Sequence, residues 1–293
     1  MNSLFFRLSL LSLILGTWMV FGAIFGFWIG WKSTQQEILV ILTFHGVTET
    51  PAKPWEIEFG KLKKYVQDLK RFGFEPLSPS QFEPWMKGLI SGGRRFMVTF
   101  DDGLLSSAEA IKKLKAEEDL DSVFFIVTDF LGMPGYIDVK ILQDLSKMGC
   151  WVGLHGKDHQ SPVEILAKGN DLKIQLLEAQ NYLQQILGKP VKWYAYPFGE
   201  FDEKVVQCIA SAGITYGFSI AAERVTRTNN PLLIPRLMFL KNAEKEGEPV
   251  IEDYLPPAGL RNGILILMLA FFVLLWGLRN LHRFYFSWKN LAN

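Results

Sequence analysis

The chain has 293 residues, 49% of them hydrophobic and 14% aromatic, with 31 basic against 30 acidic side chains. That profile excludes a disordered tail protein and a collagen-like fibre, and two cysteines, Cys150 and Cys208, are too few for a disulfide-framework protein. All the acids fall between Lys32 and Gly259, while the flanking segments hold five basic residues and no acid. The middle therefore carries a slight acidic excess, which argues against nucleic acid as a partner.

Residues 1–31 form a short tip with Arg7 followed by 24 uncharged residues, Leu8 to Trp31. A helix of that length rises about 36 Å, enough to cross a bilayer. A cleaved signal peptide is the competing reading, but its apolar core is ~7–15 residues long and no A-x-A-like site follows here. A retained signal anchor is expected. Residues 32–240 read as one domain, and 241–261 as a charged, proline-bearing linker. Asn262 to Leu278 then gives 17 uncharged residues, a second expected membrane helix. The tail 279–293 carries Arg279, Arg283 and Lys289. By the positive-inside rule both tails face the cytoplasm and the middle domain lies outside it, in a two-pass topology whose partner is the lipid bilayer.

Within the middle domain, apolar runs at Ile38 to Phe44, Phe96 to Phe100, Ser122 to Val127, Trp151 to Leu154, Val191 to Tyr196 and Thr215 to Ile220 read as buried strands. Helical spacing appears between them, at Leu62, Val66 and Leu69, at Ile174, Leu177, Tyr182 and Ile186, and at Val205, Val206 and Ile209. Gly188 and Pro190 end the second of these helices. Alternating strands and helices predict an α/β fold with a mostly parallel sheet, functional groups sitting beyond the strands' carboxyl ends.

Chemistry-bearing residues collect at those ends. Thr99-Phe100-Asp101-Asp102-Gly103 follows one strand, and two adjacent carboxylates cannot stay in a buried strand without compensation. Gly153-Leu154-His155-Gly156-Lys157-Asp158-His159 follows another, with a His-x-x-x-His spacing whose imidazoles converge if the segment turns. The glycine turn and the missing glutamate separate it from the helical HExxH of zinc proteases. His45 ends the first strand. Three of the four histidines and the aspartate pair thus sit at strand exits, which one shared site explains better than scatter. Ala195-Tyr196-Pro197-Phe198-Gly199 ends a further strand as a rigid corner.

TFDDG, then HGKDH, then AYPFG, in this order, resemble the polysaccharide deacetylase family, carbohydrate esterase family four, with motifs closest in style to its poly-N-acetylglucosamine deacetylases. The likeness runs from about Ile38 to Phe239 and includes the LTFHGV strand end, LKRFGFEPLS and GKPVKWYAYPFGEFD. It implies a distorted (β/α)-barrel of about seven strands, here flanked by one transmembrane helix at each end. It further implies a divalent metal, zinc by preference, on Asp102, His155 and His159, with Asp101 as catalytic base. By the same resemblance the Phe198 backbone N–H serves the oxyanion and His45 is the acid. Two imidazoles and one carboxylate also leave an open coordination position, as a catalytic site requires.

The expected activity is removal of N-acetyl groups from an extracytoplasmic polysaccharide, an exopolysaccharide or cell-wall glycan, with envelope polysaccharide synthesis machinery as a further partner. Two departures from the family pattern stand out. Ala195 occupies the place where many members have an arginine tethering the catalytic aspartate, and Arg236 is the candidate replacement. Gly156 stands where a serine or threonine usually follows the first metal histidine. A catalytically inactive glycan-binding module is the rival reading, and it leaves the aspartate pair and the three histidines without a purpose. A glycosidase would need a second acidic motif on another strand, which is absent.

Overall fold

The computed structural model describes residues 37–240 together with Thr17, Trp18, Phe21 and Gly22. The expected membrane helices, the linker and the basic tail fall outside the described residues, apart from those four. Among the described residues no helix is long and apolar enough to cross a membrane.

The apolar runs do form strands. β1 (Ile38–Phe44) is buried at every residue, and a strand covered on both faces has no solvent side on which to place polar residues. The others are β2 (Gly46–Thr48), β3 (Glu56–Glu58), β4 (Glu75–Pro76), β5 (Arg94–Phe100), β6 (Ser122–Ile126), β7 (Trp151–Leu154), β8 (Trp193–Ala195), β9 (Tyr216–Phe218) and β10 (Leu237–Met238). Seven of them follow one another in the order β10-β1-β5-β6-β7-β8-β9, with every pairing parallel, and β4 adds to β5. β2 and β3 make a separate two-stranded ribbon. The six expected strands are present, with slightly shifted ends. β2, β3, β4 and β10 were not foreseen, being only two or three residues long and so without a readable period.

The sheet curls. Ile234 bridges Phe218 at the β9 edge, and three residues later Leu237 pairs with Leu42 of β1, so one segment touches both edges. β6 and β9 are three places apart, yet the rings of Phe125 and Phe218 meet at 5.2 Å. That face is therefore the concave one. Its lower part is filled by Leu39, Ile41, Met97, Val123 and Trp193, with Phe82 and Trp85 inserted from α2 (Pro79–Met86). The Phe82 ring lies 5.1 Å from Trp193 and 5.0 Å from Tyr216, both edge-on, a favourable aromatic arrangement. Gly153 is glycine because Phe125 crosses it: an added Cβ would sit 2.3 Å from that ring.

The convex face is covered by helices: α1 (Phe59–Arg71), α3 (Leu105–Glu118), α4 (Val139–Lys147), α5 (Pro162–Ala167), α6 (Leu172–Leu187) and α7 (Glu203–Ser211). α1 buries Leu62, Val66 and Leu69, the spacing read from sequence. α7 buries Val205 and Ile209. α6 is the helix read from Ile174, Leu177, Tyr182 and Ile186, but most of that stripe faces away from the sheet. It buries Leu172, Leu176, Ala179 and Leu183, whereas Ile174, Leu177 and Tyr182 are exposed. This helix carries two apolar stripes, and only the i, i+4, i+7, i+11 stripe points at the sheet. Its C-cap is Gly188 in the left-handed conformation, at φ 68°.

Candidate metal and acid–base site

Register brings the motifs together. Parallel pairing sets Phe44 beside Phe100 and Ile126 beside Leu154, so the residues that follow leave the sheet at one level. The loop after β6 then binds its neighbours on both sides. Thr128 and Asp129 donate backbone N–H groups to the carbonyls of Gly156 and Lys157, while Leu105 donates to Gly135 and Ile137 to Gly103. The TFDDG and HGKDH turns are thereby held against one another. Four non-glycine residues among those described have positive φ, and three of them, Asp102, His159 and Phe198, are in these turns. Such strain persists where surrounding contacts over-determine it, and it clusters at functional sites. At the third turn Gly199 is required, because φ is +69° and a Cβ would meet Ile220 at 2.3 Å.

Oδ1 of Asp102 lies 3.4 Å from Nε2 of His155 and 3.3 Å from Nε2 of His159. One ligand atom from each of the three residues falls within 4.8 Å of the others. Nδ1 of His155 is 2.9 Å from the carbonyl oxygen of Ala195, which can only accept, so Nδ1 donates to it and Nε2 is turned toward Asp102. Burial, together with the neighbouring His155, lowers the His159 pKa. Oδ1 of Asp102 is buried without a hydrogen-bond partner. A carboxylate oxygen without a hydrogen-bond partner, converging with two imidazole nitrogens, is a donor set that a divalent cation would join. These residues therefore fit a divalent metal.

Asp101 differs sharply from its neighbour. It is 2% exposed and receives both terminal nitrogens of Arg236, each at 2.8 Å. Burial alone would raise its pKa, but the Arg236 charge outweighs that and, with His155 and the Arg236 hydrogen bonds, brings it to about 2. Arg236 is fully buried, donates Nε to the Ser219 carbonyl and Nη1 to Oγ1 of Thr99, and stacks over Phe125 at 5.1 Å. It approaches from the segment leading into β10.

His45, Asp101, Asp102, His155, His159 and Phe198 all line one cavity of about 560 Å³. His45 is half-buried with an unpartnered Nδ1, and its carbonyl accepts from Oγ of the buried Ser107. The Phe198 side chain is exposed and packs on His159, with ring centroids 4.6 Å apart. Trp55, Phe130 and Tyr136 also line it and were missed from sequence. They lie in loops or, for Phe130, a three-residue turn, too short to show a period, and only Trp55, between Pro54 and Glu56, carried a local hint, a large aromatic beside a proline.

Residues 90–217 match the family model described as polysaccharide deacetylase. A curated relative, the poly-beta-1,6-N-acetyl-D-glucosamine N-deacetylase of Staphylococcus aureus strain MSSA476, is 25% identical over 202 aligned residues, covering 57% of this chain and 69% of the relative. The enzyme of the same name from Staphylococcus epidermidis is 20% identical, covering 65% and 70%. Among solved structures, IcaB from Ammonifex degensii superposes with a TM-score of 0.64 at 22% identity, covering 73% of this chain and 96% of that one. The Streptococcus pyogenes deacetylase PplD in complex with acetate gives 0.63 at 17%, covering 75% and 99%. At those identities the solved structures speak for the fold, a curled parallel α/β sheet. Fold, motif order and family match point the same way: residues 90–217 match the polysaccharide deacetylase model, and the chain is similar to that family in motifs and in fold.

Proposed function

We propose that this chain is a membrane-anchored, metal-dependent hydrolase that removes N-acetyl groups from an extracytoplasmic poly-N-acetylglucosamine-type polysaccharide. The carrying observation is the division of labour between adjacent aspartates. Asp101 is held ionised by Arg236 and Asp102 is turned toward two imidazoles, with His45 across the same cavity. The polymer is inferred from the names of the staphylococcal relatives. The anchor rests on the charge-free stretches and basic tails of the sequence.

Asp102, His155 and His159 would hold the ion, which we assign as zinc from the nitrogen-rich, three-ligand set. A divalent cation there supplies Lewis acidity to the attacking water and to the acetamide carbonyl. Asp101 accepts the proton of that water, and its fixed guanidinium partner keeps the carboxylate oriented and charged. The backbone N–H of Phe198 is assigned to the oxygen that gains charge as the carbonyl becomes tetrahedral. An amine leaves poorly unless protonated, so His45 supplies a proton to the sugar nitrogen as the C–N bond breaks. The products are acetate and a glucosamine unit.

Acetate release from N-acetylglucosamine oligomers, measured alongside metal content, tests this reading. Turnover that falls with chelation and returns with added divalent metal is expected. Stoichiometric metal without acetate release from any N-acetylated glycan would instead leave a binding module.

A further inference from the structure

We infer that Ser107 is a positioning residue for the acid: its hydroxyl holds the His45 peptide so that the imidazole meets the leaving nitrogen, and this rests on the deacetylase reading above. Ser107 lies in the first turn of α3, just past the aspartate pair, and is fully buried. A serine hydroxyl inside a helix often turns back to the carbonyl four residues before it. For Ser107 that carbonyl is Gly103, which already accepts the backbone N–H of Ile137. The Ser107 hydroxyl instead donates to the His45 carbonyl, a partner 62 residues away in the chain. The preceding carbonyl is held from the same stretch, since Phe44 accepts the backbone N–H of Asp101 at 3.0 Å. Two successive carbonyls at the end of β1 are thus bonded by the segment that also supplies Asp101 and Asp102.

The His45 ring has no comparable support of its own. His45 is the single residue between β1 and β2, and its Nδ1 is buried with no hydrogen-bond partner among the described residues. An acid–base histidine is ordinarily oriented through its second ring nitrogen by a third group. Here the direction of the ring follows from the direction of its backbone, and Ser107 is the side chain that bonds that backbone. Without the hydroxyl, a buried carbonyl loses its donor and must shift or admit water. A misplacement of about 1 Å at a reacting group can cost ~10²-fold in rate. The loss should be selective. An amine departs only when protonated, whereas a phenolate departs without help, so a misplaced acid slows amide cleavage and largely spares an activated ester.

The test uses the full-length chain with two substrates, the N-acetylglucosamine tetramer and p-nitrophenyl acetate. Ser107→Ala should lower kcat on the tetramer by roughly 10- to 100-fold, with KM and bound metal nearly unchanged and the ester rate down by no more than about threefold. In a His45→Ala background the same change should cost at most about twofold more, because the group it positions is already gone. Ser107→Thr and Ser107→Val separate the bond from packing, since they share a shape and differ in one hydroxyl. The threonine variant should turn over the tetramer about tenfold faster than the valine variant, at similar ester rates. Equal losses on both substrates in Ser107→Ala, a full further loss in the His45→Ala background, or equal tetramer rates for threonine and valine overturns the positioning role and leaves the deacetylase reading standing. Tetramer turnover that survives His45→Ala removes the acid assignment and the inference with it. A wild type that cleaves the ester and no N-acetylated sugar sinks the deacetylase reading itself, and the inference falls with it.

Discussion

The two ends of the concave face are built from the same strands and treat their inward residues in opposite ways. Toward the amino ends, Leu39, Ile41, Met97 and Val123 close around Phe82 and Trp85 of α2, and Phe82 makes three aromatic contacts. Toward the carboxyl ends the inward positions two to four residues further on become Thr43, Thr99, Asp101 and Arg236, all buried and joined by hydrogen bonds. One end removes apolar surface from water. The other keeps a charge pair in a place where only complete satisfaction makes it tolerable. The difference teaches that the period-2 pattern of a strand sets which face a residue takes, while its height along the strand sets whether it packs or acts.

The largest separation of the two ends should come from His159→Ala. It removes one member of the Asp102, His155, His159 group, and acetate release should fall by more than the ~10- to 100-fold typical of losing an outer-shell partner. Bound metal, measured by elemental analysis, should fall with it. The ring is only half-buried, so the metal-free melting temperature should barely move. Substantial activity with full metal content would break the assignment.

Two changes of similar size sharpen the comparison in stability. Phe82→Ala empties the lower end and should cost about 3–5 kcal/mol in denaturant unfolding, while the molecules that remain folded keep their metal. Arg236→Met should cost a similar ~3–5 kcal/mol, because it leaves a buried carboxylate unpaired rather than because it removes packing. The two variants part in catalysis. Without Arg236, burial dominates Asp101 and its pKa rises, so the acid limb of the kcat/KM profile should move to higher pH; in Phe82→Ala it should stay in place. An unmoved limb in Arg236→Met would mean that Arg236 only supports the structure.

How much of this was legible in the sequence follows from the same division. Strands buried on both faces announce themselves as apolar runs, and residues just past their ends, Asp101, Asp102, His155 and His159, could be read as one group because parallel strands all exit at one end. β10 and the β2–β3 ribbon were invisible at two or three residues each, and with them went Trp55. The α6 helix was legible but its buried stripe was not, because Ile174, Leu177 and Tyr182 are as apolar as the buried Leu172, Leu176 and Leu183, and periodicity alone does not say which stripe meets the sheet. Arg236 was noticed as an arginine ending the domain. It was read as the candidate tether of Asp101 only through the family pattern and the alanine at 195, and the structure makes that pair; spacing could not give it, since 135 residues separate the two and only the segment that joins the two sheet edges brings them together.

The smallest expected effect is a dependence on pH that the upper end has and the lower end lacks. Asp101 titrates at about 2 in the folded protein, against an ordinary value near 4 in the unfolded chain. A depressed folded value means that the stabilisation is fully present above pH ~4 and is lost as pH falls through 2, an amount of about 2 kcal/mol. In Arg236→Met the sign reverses, because burial alone raises the folded value and protonation then relieves an unpaired charge. Other carboxylates, such as Glu118 with Lys70, titrate in both proteins and cancel in the difference. Urea unfolding with a chelator present, run on both proteins from pH 5 down to below 2, should therefore show the stability gap between them narrowing by at least ~2 kcal/mol. Phe82→Ala against wild type should show a gap that stays constant over the same range. A constant gap for Arg236→Met as well would mean that Arg236 does not hold Asp101 ionised, and the contrast between the two ends would reduce to one of shape.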